Sequence, residues 1–323
     1  MAEIIELQAH VPEDLRDMRL DQAAAKLFPD YSRARLQQWI KSGELRVNGE
    51  QIKPRDKLSS GELLTLRAEV ENEDRWEPED IALDIIYEDN DILVLNKPAG
   101  LVVHPAAGHA SGTLLNALLA HSSDLGSVPR AGIVHRLDKD TSGLMVVAKN
   151  LAAQNHLVEQ LQARTVSREY EAVVFGTMTG GGTVDQPIGR HPRQRQKMAV
   201  VTLSGDQKGG KEAITHFRLI KRFQHHTHVR CLLETGRTHQ IRVHMAHIKH
   251  ALIGDPLYAG RPRLPKGASA ALIQGLQGFT RQALHARHLS LVHPASGDTI
   301  SWEAALPEDL VSLLDVLEQE DTP

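Results

Sequence analysis

The stretch HRLDKDTSGL occupies residues 135–144 and lies between two apolar runs. The run AGIV at residues 131–134 precedes it, and the run LMVVA at residues 144–148 begins at its last residue and continues beyond it. Apolar runs of this length are typical of buried strands, so the polar residues between them predict a loop at the edge of a sheet. A polar loop on a rigid sheet is a common support for functional side chains.

Asp138 is the residue of this loop that is best suited to catalysis. Arg136 lies two residues before it, and Lys139 follows it directly. A carboxylate among cations stays ionised, and an ionised carboxylate can act as a nucleophile or a base. An ordinary turn residue is the alternative, because Asp, Ser and Gly are common in turns. The spacing of the residues leaves both interpretations open.

Three blocks of the sequence resemble the catalytic motifs of the RluA-type pseudouridine synthases. The blocks are HRLDKDTSGL at residues 135–144, SREY at residues 167–170 and ETGRTHQIR at residues 234–242. They occur in the same order, and the similarity covers nearly the whole chain. Ten contiguous residues with two further blocks are a far more specific signal than one short motif. The resemblance implies an enzyme that isomerises uridine to pseudouridine in RNA.

Three catalytic residues are implied by this resemblance. Asp138 matches the essential carboxylate, and Arg242 matches the arginine that pairs with it and keeps it charged. Tyr170 matches the tyrosine that packs on the uracil ring and is expected to help remove the C5 proton. Attack of Asp138 on C1′, addition to C6 and removal of the C2′ proton all stay open, because each needs the same charge in the same place.

Three further residues are expected at or behind the substrate uridine, whose base must leave the RNA stack. Arg136 matches the arginine that enters the vacated position, and Ile241 matches the apolar wall of the pocket. His135 is expected behind the loop, because neighbouring residues of a strand point to opposite faces. Lys97 and His104 lie in another stretch that matches the family, and they are expected to line the cleft.

Residues 15–68 predict a small separate unit with two amphipathic helices followed by strands. This segment resembles the S4 RNA-binding domain in three short matches, which are RLD at 19–21, SR at 32–33 and VNG at 47–49. Basic side chains on or beside the second helix are therefore expected to contact RNA phosphates. These side chains are Arg33, Arg35, Lys41 and Arg46.

The expected fold is α+β. A catalytic domain with a mixed, mostly antiparallel sheet flanked by helices should span residues 81–323, as the strand-rich pattern and the resemblance both imply. The S4-like domain should be tethered outside it by an acidic linker at residues 69–80, which contains few residues able to form a core.

The charge distribution favours an RNA partner even though the net charge is −4. Residues 69–91 and 303–323 are strongly acidic, whereas residues 187–222 are basic, so the acidic segments mask a basic zone in the average. The basic loop at residues 190–197 is expected to contact the RNA backbone. The connection at residues 203–211 is longer than usual for similar chains, which leaves its role in RNA contact open.

No cofactor, metal or membrane is expected. The sequence has neither a phosphate-binding loop nor a dinucleotide fingerprint, and no apolar run approaches the ~20 residues of a membrane span. His244, His247 and His250 recur every third residue, but without a placed carboxylate they make a poor zinc pattern. The single cysteine, Cys231, cannot form an internal disulfide, and no signal peptide is evident, which together predict the reducing cytoplasm. The protein is expected to act as a monomer.

The resemblance is greatest to family members that modify large-subunit (23S) ribosomal RNA. It implies the stem-loop of helix 69 as the target, within free rRNA or a ribosomal precursor particle. One alternative is a glycoside hydrolase that uses Asp138 and Asp140, which would release free uracil. Another is a noncatalytic S4-type RNA-binding or ribosome-assembly factor, which would have no need of Asp138 together with Arg242 and Tyr170.

Overall fold

The computed structural model divides the chain into two compact units, Met1–Trp76 and Glu77–Pro323. The structure describes residues 3–28, 31, 33–70, 76–105, 111–194, 196–201, 210–260 and 264–321. Among these residues, no helix combines the length and the apolar composition that crossing a bilayer requires.

The first unit is a three-stranded antiparallel sheet with two helices. Its elements, in chain order, are β1 (Glu3–His10), α1 (Leu20–Leu27), α2 (Arg33–Ser42), β2 (Leu45–Val47) and β3 (Leu63–Val70). The strands lie in the order β1-β3-β2. The helices turn the apolar faces predicted by their spacing towards one core with the sheet. The core residues of the two helices are Leu20, Ala23, Ala24, Leu36, Trp39 and Ile40.

The first unit extends beyond the predicted segment 15–68, because β1 pairs with β3 along its whole length. The predicted linker at residues 69–80 also differs from expectation. Residues 71–75 lie outside the described residues, but Glu77 already belongs to the second unit, where its carbonyl accepts a hydrogen bond from Asn116 Nδ2 at 2.8 Å. Specific hydrogen bonds therefore hold the end of this acidic segment, and composition does not reveal them.

The second unit is organised around a nine-stranded mixed sheet. The strands of this unit are β4 (Ile85–Glu88), β5 (Ile92–Lys97), β6 (Ser142–Ala148), β7 (Ser167–Phe175), β8 (Gly182–Asp185), β9 (Ile188–Arg190), β10 (Met198–Val200), β11 (Ile214–Arg222), β12 (His226–Leu233), β13 (Leu284–Val292) and β14 (Thr299–Glu303). The large sheet has the order β4-β5-β6-β13-β7-β12-β11-β8, in which β14 also pairs with β13, and a small separate sheet joins β9 to β10. The pair β6–β13 is parallel, and the other pairs of the large sheet are antiparallel. The predicted α+β fold with a mixed, mostly antiparallel sheet is thus confirmed.

Helices pack on both faces of the large sheet. They are α3 (Leu114–His121), α4 (Leu151–Ala163), α5 (Gln240–His247), α6 (Ala270–Gly278) and α7 (Glu308–Asp321). The alternation of β6 shows the two faces, because Met145 and Val147 join the core that contains residues of α3 and α5, whereas Leu144 and Val146 join the core that contains residues of α4. The last two helices, α6 and α7, form a further core with Val173 of β7.

The strand predicted at residues 131–134 is wrong. Arg130, Ala131 and Gly132 have φ angles of 56°, 50° and 75°, which form a tight turn and cannot continue as a strand. Ile133 makes a single bridge to Val147 of β6. Ala131 and Ile133 are nevertheless buried and Val134 is partly buried, so the hydrophobic pattern indicates burial correctly but the backbone conformation incorrectly.

Gly143 is required at the point where the chain enters β6. Its φ is 117°, and it lies between β5 and β13, opposite Lys97 and Ala286. A Cβ atom at this position would lie 2.3 Å from the carbonyl oxygen of Ala286. The backbone of β13 therefore approaches so closely that no side chain fits, and this approach fixes the start of β6 directly after the loop of Asp138.

Replacing Gly143 with alanine should lower the free energy of unfolding by about 2–4 kcal/mol, because backbone strain and a clash with β13 add together. Chemical denaturation of the full chain measures this loss. Gly180→Ala is the matched control, since no atom lies within 4 Å of the added Cβ, and it should change the stability by less than about 0.5 kcal/mol. Similar losses for both variants would contradict the close approach at Gly143.

Candidate active site

The loop at residues 135–141 is fastened by Lys97, the last residue of β5. The Lys97 side chain is fully buried, and its ammonium donates to three backbone carbonyls at 2.7 to 2.9 Å, including that of Lys139 in the loop. Burial lowers the pKa of Lys97 to about 8, although the charges of Asp140 and Asp138 act in the opposite direction. Lys97 therefore anchors the loop, which differs from the expectation that it lines the cleft.

Arg281 provides a second anchor for the same loop. Its Nη1 donates to the carbonyl of Asp140 at 3.3 Å, and its guanidinium pairs with Asp309 of α7 at 2.6 Å. The two cations thus hold backbone oxygens directly after Asp138, which leaves the carboxylate of Asp138 on a rigid support.

Arg242 of α5 joins Asp138 to a second carboxylate. Its Nη1 donates to Asp138 Oδ2 at 2.9 Å, and its Nε and Nη2 donate to the two oxygens of Asp255 at 2.7 and 3.0 Å. The exposed fractions of the side chains are 4% for Arg242, 0% for Asp255 and 19% for Asp138. Burial acts to lower the pKa of Arg242, but Asp255 and Asp138 raise it above the ordinary value of an arginine. The guanidinium is therefore always charged, and Asp138 is the carboxylate that faces outward.

Asp255 is a candidate site residue that sequence reasoning missed. Its Oδ1 also accepts hydrogen bonds from the amides of Leu257 and Tyr258 at 2.9 and 3.0 Å. Gly254 precedes it with a φ of 69°, and a Cβ there would lie 2.2 Å from the carbonyl oxygen of Arg281. The available signal was an acidic residue in a Gly-Asp-Pro turn, but such turns are common and do not indicate their partner.

Tyr170 and Ile241 supply the apolar side of the site. Both are buried, and both belong to the core cluster that spans the sheet and α5. Burial raises the pKa of Tyr170, while Arg168 acts to lower it and the charge of Asp138 raises it further. Tyr170 is thus a neutral phenol whose pKa is affected by the negative charge of Asp138.

Arg136 and His135 have different surroundings in the loop. Arg136 is exposed to solvent, whereas His135 Nε2 accepts a hydrogen bond from the amide of Val146 at 3.1 Å. Burial lowers the pKa of His135 to about 3, and the charge of Arg168 contributes, so the imidazole is neutral. His135 supports the loop as an acceptor, but not because of a strand pleat, since both residues lie outside any strand. His104 is also neutral, because burial lowers its pKa to about 4 with nearby arginines adding to the shift.

The three histidines spaced along α5 and beyond it have separate environments. His244 is buried and shares both ring nitrogens with a threonine hydroxyl and a backbone carbonyl, each at 2.9 Å. His250 Nδ1 binds another backbone carbonyl at 2.8 Å, and His247 is exposed. Both ring nitrogens of His244 are therefore engaged in hydrogen bonds inside the protein.

Among the described residues, Asp89, Asp91 and His293 form the one cluster with the spacing of a metal site. Its ligand atoms are already occupied. Asp89 Oδ1 accepts the amides of Asp91 and Ile92 at 2.8 Å, and Asp89 Oδ2 lies 2.7 Å from His293 Nε2. The other nitrogen of His293 faces two backbone amides. This arrangement closes the β4–β5 hairpin, and its hydrogen bonds account for it without an ion.

The basic residues of the first unit occupy the region expected from the sequence. Lys41 and Arg46 are exposed, and Arg35 lies with its guanidinium 5.7 Å from the centre of a tryptophan ring. The side chain of Arg33 lies outside the described residues. The same applies to most of the connection at residues 203–211.

Comparison with known families gives two matches. The RNA pseudouridylate synthase family matches residues 91–247, a range that includes Asp138, Tyr170 and Arg242, and the S4 domain matches residues 18–64. Ribosomal large subunit pseudouridine synthase D of Pseudomonas aeruginosa is 59% identical over 320 residues, which cover 99% of this chain and 98% of that protein. The protein of the same name from Escherichia coli strain K12 is 56% identical over 318 residues, with 98% and 96% covered.

Solved structures of two human proteins are similar to this chain over part of its length. Human RNA Pseudouridylate Synthase Domain Containing 4 is similar with a TM-score of 0.57 and 27% identity, over 72% of this chain and 92% of that chain. Human RNA Pseudouridylate Synthase Domain Containing 1 has a TM-score of 0.53 and 25% identity, over 71% and 85%.

Replacing Asp255 with asparagine keeps the shape of the side chain but removes its charge from a buried ion pair. We expect the free energy of unfolding to fall by about 3 kcal/mol or more, as measured by chemical denaturation. Asp309→Asn is the matched control, because Asp309 also pairs with an arginine but is 48% exposed, and its loss should stay below about 1 kcal/mol. Equal losses would show that Asp255 does not stabilise Arg242 as a buried partner.

Proposed function

This chain belongs to the RNA pseudouridylate synthase family and is an RNA pseudouridine synthase, and we propose that it isomerises uridines of large-subunit (23S) ribosomal RNA in the stem-loop of helix 69. The similarity to ribosomal large subunit pseudouridine synthases over nearly the full chain supports the ribosomal target. The choice of helix 69 rests on the resemblance of the sequence to enzymes that act there. We also propose the residues below as the catalytic and RNA-binding groups.

The ion pair between Asp138 and Arg242 is the observation that carries the proposed mechanism. Pseudouridine formation breaks the C1′–N1 bond, turns the uracil and rejoins it through C5, so substrate and product contain the same atoms. The protein must supply an ionised carboxylate, a pocket for the base and protection from water. Asp138 is the carboxylate, and Arg242 keeps it charged and aimed.

Tyr170 and Ile241 hold the uracil beside Asp138. A flat phenol suits packing on one face of a base that has left its stack, and an aliphatic side chain in the same apolar cluster suits the wall of its pocket. Burial raises the pKa of Tyr170, which fits a neutral ring that packs on the uracil, and we propose that its hydroxyl also helps to remove the C5 proton.

Arg136 replaces the stacking and hydrogen bonds that the RNA loses when the base flips out. It is exposed beside Asp138, and its planar guanidinium can stack in the vacated position and donate hydrogen bonds there. His135 holds the backbone of the same loop to β6. The two neighbours thus divide the work between contact with the RNA and support of the loop.

The first unit tethers the RNA through its phosphates. Lys41 and Arg46 are exposed, and with Arg33 and Arg35 they form the basic set that the S4 resemblance assigns to phosphate contact. Such contacts add affinity without reading the sequence of the RNA. We propose that the enzyme acts as a monomer in the cytoplasm, on rRNA or a precursor particle, where ribosomal subunits are assembled.

Asp138→Asn should abolish turnover while leaving RNA affinity within about threefold, because the change removes charge and keeps shape. Release of tritium from 5-tritiated uridine in an rRNA transcript measures turnover, and filter binding measures affinity. Asp140→Asn is the matched control in the same loop and should retain most of the rate. Activity of Asp138→Asn near that of the parent would exclude Asp138 as the catalytic group, and free uracil among the products would favour hydrolysis over isomerisation.

Cells that lack this protein should lose the pseudouridines of the helix 69 loop, and the intact gene should restore them. A variant with Arg35, Lys41 and Arg46 changed to glutamine should restore them less fully, because several phosphate contacts are lost. Each lost contact should reduce the slope of log binding constant against log salt concentration by about 0.7–0.9. Mapping of pseudouridines in rRNA gives the result. An unchanged helix 69 with a pseudouridine missing elsewhere would disprove the target and leave the chemistry intact.

A further inference from the structure

His239, directly before α5, adopts a backbone conformation that most residues avoid. Its φ is 58°, in the left-handed region, and its side chain makes no capping hydrogen bond to the helix. Glycine would adopt this conformation at lower cost. The side chain is 16% exposed and lies between Tyr258 and Asp138. Because the helix gains no cap from this residue, the contacts of the imidazole are what distinguish it from glycine here.

Tyr258 determines which nitrogen of His239 carries the proton. The amide of Met198 donates to Tyr258 Oη at 2.9 Å, and His239 Nδ1 lies 2.7 Å from the same oxygen. A phenol has one proton to donate, and within the described part of the chain His239 Nδ1 is the acceptor bonded to Tyr258. The hydrogen-bond network therefore places the phenol proton on the line to Nδ1 and the imidazole proton on Nε2.

The protonated Nε2 faces the catalytic carboxylate. It lies 3.9 Å from Asp138 Oδ1, while Arg242 Nη1 lies 2.9 Å from Asp138 Oδ2. One oxygen is already bonded, and the other faces a donor that is about 1 Å beyond hydrogen-bond length. Burial lowers the pKa of His239, although Asp138 acts to raise it. The imidazole is thus a neutral, directional donor beside the free oxygen.

We propose that His239 is a positioning residue for pseudouridine formation, whose Nε2–H, oriented by Tyr258, closes onto Asp138 Oδ1 when the uridine enters and aims this oxygen at the nucleoside. The proposal rests on the proposed role of Asp138 as the catalytic carboxylate. Arg242 keeps Oδ2, so Oδ1 is the oxygen that acts on the uridine. One lone pair of Oδ1 accepts from His239 while the other faces the substrate, and His239 neither gains nor loses a proton.

Three substitutions separate this role from a merely structural one. His239→Asn tolerates the left-handed backbone but has no donor at the position of Nε2. His239→Gln places an amide N–H at that position, and this amide does not depend on Tyr258 for its proton. Tyr258→Phe keeps the ring that lies 5.1 Å from the guanidinium of Arg242 but removes the hydroxyl. His247→Asn, on the exposed side of the same helix, is the control.

Single-turnover tritium release with saturating 5-tritiated rRNA transcript measures the chemical step, and filter binding measures affinity for the same RNA. We expect His239→Asn to slow the chemical step by about 10–100-fold, which is the scale of a misplaced catalytic group, with unchanged affinity. His239→Gln should recover most of the rate, and His247→Asn should match the parent. Tyr258→Phe should slow the parent about tenfold but cause no further loss in the His239→Gln background, because the two residues act as one unit.

A spectroscopic measurement tests the hydrogen-bond chain without catalysis. In protein labelled with ¹⁵N-histidine, the signals lost in His239→Asn should show a bare Nδ1 and a protonated Nε2. A protonated Nδ1, a parent-like rate for His239→Asn, or an equal effect of Tyr258→Phe in both backgrounds would overturn the role of His239 while leaving Asp138 in place. Full activity of Asp138→Asn would instead reject the proposed function, and the tautomer would still be readable.

Discussion

The buried guanidinium of Arg242, held between Asp255 and Asp138, is the interaction on which the site depends. A single buried pair of Arg242 and Asp138 would be neutral overall, because the guanidinium would neutralise most of the carboxylate charge. Asp255 adds a second negative charge behind the arginine, so the three groups together carry one net negative charge. Removal of such charges from water is costly unless each is hydrogen-bonded, and here Arg242 uses its Nε and both terminal nitrogens. The arrangement anchors Asp138 while leaving a net negative charge on the cluster, which suits the catalytic role proposed for it.

The rigidity of the loop around Asp138 has a complementary role. The buried ammonium of Lys97 binds three backbone carbonyls, including that of Lys139 in the loop. Arg281, which follows α6, binds the carbonyl of Asp140 and pairs with Asp309 of α7. Under the proposed mechanism, this support positions the carboxylate in advance, and the uridine moves to it when its base leaves the RNA stack.

Hydrophobic periodicity predicted much of the fold, because burial leaves a direct mark on the sequence. The helical faces of α1 and α2 and the buried strand β6 follow from such patterns. The run at residues 131–134 failed because burial is shared by strands and tight turns, and three consecutive positive φ angles leave no mark that a pattern of apolar residues can show. The mixed sheet was expected, but the place of β13 in its middle is a long-range pairing that no local signal contains.

The candidate site divides in the same way. Asp138, Tyr170 and Arg242 stand in motifs that resemble a known family, and the structure places Arg242 on Asp138. Three other residues contribute only through their contacts. A turn orients the carboxylate of Asp255, the buried ammonium of Lys97 binds backbone carbonyls, and the phenol of Tyr258 is hydrogen-bonded to the imidazole of His239. Each of these residue types is common elsewhere, so their roles become visible only when their partners do.

The position of β13 between β6 and β7 also sets an order of events during synthesis. The first unit contains its whole core within residues that leave the ribosome early, so its sheet can close while the rest of the chain is still being made. Asp138 and Tyr170 emerge next, but the strands beside them stay unpaired on one edge until residues 284–292 arrive. A chain that stops before β13 therefore lacks the strand that joins β6 to β7, next to the proposed catalytic residues Asp138 and Tyr170.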